Sequence, residues 1–120
     1  MILILDDEPW FILSYVETLE LEGYSVKVVT NPEEFLALLQ ENGNIEGVIV
    51  DVMFPKDKDL GLNIAEKIRI RKADIPIIIL SNRADLSGTG VDKFTKVICK
   101  RDTTPLELIS VLKEFNLTGK

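Results

Sequence analysis

Predominantly apolar, largely β-branched runs recur along the chain at Ile2–Leu5, Tyr24–Val29, Val48–Val50, Ile75–Leu80 and Val97–Cys99. A strand with one wet face alternates polar and apolar residues. Most of these runs do not alternate, and all five are read as strands covered on both faces, as in a parallel sheet. Helical patterns separate them. Pro9 marks a first helical turn, Ile12, Val16 and Leu19 fall on one face, and Gly23 ends the segment. Asn31-Pro32-Glu33-Glu34 supplies an N-cap, a proline at the first helical position and a carboxylate three residues after the cap. Thr104-Pro105-Leu106-Glu107 repeats that design before a last helix through about Phe115, and another helix is expected from about Leu60 to Lys72. Strand–helix alternation at this period implies parallel strands joined by right-handed crossovers, with helices on both faces. The fourth helix should lie within Arg83–Lys96. Gly88 and Gly90 there cost roughly 1 kcal/mol each against alanine, so that helix is expected to be short, displaced or partly unwound.

A length of 120 residues fits one domain, 1–120, with a core of its own. The chain is 46% hydrophobic and 28% charged, an ordinary globular balance, and no apolar run approaches the ~20 residues of a membrane span. MILIL followed at once by acids is too short and too acidic for a signal peptide. Cys99 is the sole cysteine, so no internal disulfide forms and the expected location is cytoplasmic. Cys99 itself is expected to be a buried structural residue rather than a redox centre. The net charge of −6 leaves no electrostatic footprint for nucleic acid. The basic group Lys67, Arg69, Arg71 and Lys72 is expected to be a solvated helix end favoured by the helix dipole. With no histidine, His-based triads, most zinc sites and phosphohistidine chemistry within this chain are excluded.

In open α/β sheets, ligands bind outside the carboxyl ends of the strands. The first run is closed by Asp6, Asp7 and Glu8, the third by Asp51, the fourth by Ser81 and Asn82, and the fifth by Lys100. Nucleotide-binding relatives of this architecture carry a glycine-rich turn after the first strand. Acids at that place repel anions and attract a hard cation. Two carboxylates about 4 Å apart repel by roughly 4 kcal/mol at an effective dielectric of 20. Few carboxylates, retained waters and one partner phosphate suit Mg2+. The acids after the first strand also suit capping of a helix beginning at Pro9. Capping needs one acid, though, and does not account for Asp51, Ser81 and Lys100.

The whole chain resembles a response-regulator receiver domain, on LILDDEP at 3–9, VIVDVMFP at 48–55, IIILSN at 77–82 and VICK at 97–100. The resemblance implies a flavodoxin-like, doubly wound α/β fold with a five-stranded parallel sheet in the order 2-1-3-4-5. It implies Asp51 as phospho-acceptor and Asp6 and Asp7 as the magnesium pair. Asp7 would be a direct ligand, Asp6 would act partly through water, and the Met53 backbone carbonyl would complete the site. Ser81 matches the hydroxyl that contacts the phosphoryl group, and Lys100 the ammonium that pairs with one of its oxygens. A histidine kinase or histidine phosphotransfer protein would be the donor. The chain is expected to act as a stand-alone phospho-acceptor with slow self-dephosphorylation rather than as an enzyme.

The departures from the family pattern are specific. Arg101 replaces the usual proline after the lysine, and Val97 replaces the usual aromatic switch residue. Asn82 stands where a small residue is common, the Ser81–Lys100 interval is short, and Lys56–Leu60 lengthens the loop after the acceptor. Retained chemistry with unusual output is the expectation. Trp10, Phe11 and Tyr15 read as core or boundary packing, or alternatively as a kinase-docking patch. Two other functions remain open on sequence: a phosphorylation-independent pseudo-receiver that binds a partner, and a small Mg2+-dependent phosphohydrolase. Against the hydrolase, its nucleophilic aspartate usually follows the first strand with a second aspartate two residues on, whereas Asp6 and Asp7 are adjacent.

Overall fold

The computed structural model describes residues 1–6, 12–41, 43–52, 60–71, 74–81, 95–99 and 103–115, with backbone alone at 51, 52, 60–63, 65, 81, 97 and 99. In chain order the elements are β1 (Ile2–Asp6), α1 (Leu13–Leu21), β2 (Val26–Val29), α2 (Pro32–Glu41), β3 (Gly47–Val52), α3 (Leu60–Arg71), β4 (Ile77–Ser81), β5 (Thr95–Cys99) and α4 (Pro105–Glu114). The strands form one five-stranded sheet in the order β2-β1-β3-β4-β5, and every neighbouring pair is parallel. The expected doubly wound architecture is therefore the observed one.

Two apolar layers explain the uninterrupted runs. On one face Leu3, Leu5, Val48, Val50, Ile77 and Ile79 pack with Phe35 and Leu39 of α2 and Ile64 and Ile68 of α3. On the other, Ile2, Ile4, Ile49, Ile78, Leu80 and Ile98 pack with Tyr15 and Leu19 of α1 and the apolar side of α4. Alternate residues of one strand thus serve opposite layers, and both positions must be apolar. β2 is the exception. It forms an edge of the sheet, its Lys27 is exposed and Val26 and Val28 are only half-buried, so the run Tyr24–Val29 is not covered on both faces throughout.

Local chemistry sets the element ends. After α1, Gly23 adopts φ 96°. Its N–H donates to the Glu20 carbonyl, while the Tyr24 N–H donates to the Leu19 carbonyl, each at 3.0 Å. That left-handed glycine closes the helix and turns Tyr24 back into the same apolar cluster as Leu19. Asn31 Oδ1 accepts from the Glu33 and Glu34 N–H groups at 2.8 and 3.1 Å, and Thr104 Oγ1 accepts from the Glu107 N–H at 3.2 Å. Both caps expected from the Pro-containing motifs are made. Pro9 and the expected fourth helix lie outside the described residues, except that Thr95 and Lys96 belong to β5 rather than to a helix.

The basic end of α3 departs from expectation. Lys67 and Arg71 are exposed, but Arg69 is half-buried. Its guanidinium donates to the Ile75 carbonyl at 2.7 Å and to Thr95 Oγ1 at 2.8 Å, tying α3 to the approach of β4 and the start of β5. Thr95 is buried, so its hydroxyl must find a partner inside the protein, and the forked guanidinium reaches both acceptors at once. In denaturant titration, Arg69→Ala is expected to cost about 1–3 kcal/mol, whereas Arg71→Ala should stay within about 0.5 kcal/mol. Equal effects would show that Arg69 acts only as a surface charge.

Candidate functional site

The sheet register assembles the site positions. Asp6 of β1 pairs with Asp51 of β3, which pairs with Leu80 of β4, which pairs with Ile98 of β5. One rung further, Val52 pairs with Ser81 and Ser81 with Cys99. Asp6, Asp51 and Ser81 therefore occupy the last two rungs of the ladder, at the carboxyl edge. Neighbouring strands are about 4.8 Å apart, so Asp6 and Asp51 are set side by side by backbone hydrogen bonding alone. Asp7, Met53, Asn82, Lys100 and Arg101 lie outside the described residues, as do the side chains of Asp51, Ser81, Val97 and Cys99.

Asp6 is fully buried, and with Thr95 it makes up the buried polar set among the described residues. An ionised carboxylate is costly to bury without a compensating positive charge or hydrogen-bond donors. A side chain of that kind beside a second aspartate makes an all-oxygen donor pair suited to a hard divalent cation. No group of three metal-ligating side chains occurs among the described residues, to which neither Asp7 nor the Asp51 side chain belongs.

A long-range contact that the sequence did not signal ties α1 to the residue before the N-cap of α4. Tyr15 lies in the buried layer of α1, and its hydroxyl donates to the Thr103 carbonyl at 2.6 Å. A buried tyrosine carries its ring into the core and needs a partner for its oxygen. Core packing is thus the outcome for Tyr15, while Trp10 and Phe11 fall outside the described residues. The partner is 88 positions away, so neither helical spacing nor capping motifs hint at it.

Comparison with known proteins agrees with this geometry. A family model described as the response regulator receiver domain matches residues 2–97. The response regulator MprA of Mycobacterium sp. (strain KMS) is 33% identical over 86 residues, covering 72% of this chain and 36% of that protein. The probable transcriptional regulator ycf27 of Cyanidium caldarium is 37% identical over 94 residues, covering 78% and 34%. Among solved structures, the response regulator TrrA of Thermotoga maritima, in complex with Mg2+–BeF, superimposes with a TM-score of 0.76 at 30% identity, covering 94% of this chain and 96% of that one. The chain belongs to the response regulator receiver domain family, the phospho-accepting signalling domains of two-component systems. It spans about a third of the length of the curated relatives it matches. Among the described residues, no helix is long and apolar enough to cross a membrane.

Asp6 and Asp51 hold paired strand positions, and like charges so placed repel when no cation lies between them. In a metal chelator, Asp51→Asn is expected to raise the melting temperature by about 3 °C or more. A fall of that size would show that the second carboxylate supports the apo fold instead of straining it.

Proposed function

We propose that residues 1–120 act as one receiver domain that accepts a phosphoryl group on Asp51 from a phosphohistidine of a histidine kinase or histidine phosphotransfer protein. The observation that carries this reading is the register pair of Asp6 and Asp51 at the carboxyl edge of the sheet, with Asp6 fully buried. A buried acid beside an acceptor acid serves no packing purpose. It suits a site that holds a cation against an incoming phosphate.

In the proposed reaction an Asp51 carboxylate oxygen attacks phosphorus in line with the leaving imidazole. The new P–O bond forms as the P–N bond breaks, and its electron pair returns to the ring nitrogen. Lys100 pairs with a phosphoryl oxygen and offsets the charge gathering there, while the Ser81 hydroxyl donates to another. Asp6, Asp7, Asp51 and the Met53 carbonyl would hold Mg2+, which supplies further neutralisation of the phosphoryl oxygens. The Mg2+–BeF complex of TrrA supports that cofactor for this chain. The acyl phosphate is later hydrolysed by water, which returns Asp51 slowly to its free state and makes the domain a timed switch for partner binding. A single cysteine suits work in the reducing cytoplasm.

Intact mass after incubation with acetyl phosphate tests the reading. One phosphoryl adduct is expected on the wild type with Mg2+, and none without the metal or in Asp51→Ala. An adduct that persists in Asp51→Ala would move the acceptor elsewhere. No adduct under any condition would favour a binding module that keeps the receiver form without its chemistry.

A further inference from the structure

The segment that carries Lys100 is short, and both of its ends are fixed. Cys99 closes β5 in register with Ser81. Thr103 leads directly into Thr104, the N-cap of α4. Four residue steps separate Cys99 from Thr103, a span of at most about 14 Å. Capping at Thr104 fixes where α4 begins along the chain, but does not by itself fix where that beginning lies relative to the site. Core packing of Leu108, Ile109 and Leu112 locates the helix, and the Tyr15 hydroxyl ties the Thr103 carbonyl itself, at 2.6 Å from a ring buried in the α1 layer. α1 is also the first described helix after the acids that close β1. One helix thus links the acidic side of the site to the return end of the Lys100 segment.

We propose that Tyr15 is a positioning residue for Lys100, holding the Thr103 carbonyl so that the lysine segment meets the phosphoryl group in a fixed frame. This inference rests on the reading that Lys100 pairs with that group. The sequence supplies the need for such a restraint. Family members usually place a proline after the lysine, and a proline ring locks its own φ. Here Arg101 stands there, so the sequence carries no such lock at that position. An external hydrogen bond, two residues beyond Arg101, restores the lost restraint from outside the segment. A tyrosine serving the core alone would need its ring only, and phenylalanine would replace it without consequence for the chemistry.

The test is the initial rate of Asp51 phosphorylation by acetyl phosphate with saturating Mg2+, measured by intact mass. Wild type, Tyr15→Phe, Lys100→Ala and the double variant are compared well below their melting transitions. Tyr15→Phe keeps the ring and removes one hydrogen bond, so it is expected to slow wild type about three- to tenfold. Lys100→Ala should be slower still, and adding Tyr15→Phe to it should change nothing, because the hydroxyl acts through the lysine. Equal slowing by Tyr15→Phe in both backgrounds, or none in wild type, overturns the positioning role and leaves the phosphorylation reading standing. A Lys100→Ala variant as fast as wild type overturns the reading of Lys100, and this inference with it.

Discussion

Backbone hydrogen bonding between β1 and β3 places Asp6 beside Asp51, and the rest of the structure is arranged around that pairing. Parallel strands in register cannot shift by one residue without exchanging the two apolar faces of every strand, so the buried layers lock the ladder. Leu3, Leu5, Val48 and Val50 commit one face, and Ile2, Ile4 and Ile49 commit the other. Two acids are thereby held together by a core built from apolar side chains.

The helices secure this frame from outside. α2 and α4 begin at side-chain caps, and α1 ends in a left-handed glycine that returns Tyr24 to the core. Arg69 joins α3 to β5 at the start of the strand, and Tyr15 joins α1 to the segment that leaves β5. Among the described residues β5 is an edge strand with a ladder partner on one side only, so polar ties near both its ends offset what an edge lacks. The exposed Lys96–Glu114 ion pair at 3.1 Å adds little beside these buried bonds.

Much of this was legible in the sequence, because it depends on local patterns. Uninterrupted β-branched runs identified strands covered on both faces, and Asn31-Pro32 and Thr104-Pro105 marked helix starts to the residue. The acids and the serine each come directly after an apolar run, which puts them at one rim, and in the sheet Asp6, Asp51 and Ser81 occupy its last two rungs. Long-range polar contacts left no such trace. Arg69 reads as one member of an exposed basic cluster until the fold brings Thr95 to it, 26 positions on. Tyr15 reads as core or boundary packing, or a docking patch, and nothing in the sequence points its hydroxyl to Thr103. β2 is the poorest fit to the pattern of uninterrupted runs, because Ser25 and Lys27 alternate with Tyr24, Val26 and Val28, and its edge position leaves Lys27 exposed.

In the proposed reading, Asp6 and Asp51 together hold one divalent cation. Calorimetric titration of Mg2+ into the purified chain and into Asp6→Asn tests it directly. A single binding site in the wild type, weakened about tenfold or more by the substitution, is the predicted result. Equal affinity in the two proteins, or no binding to either, would contradict it.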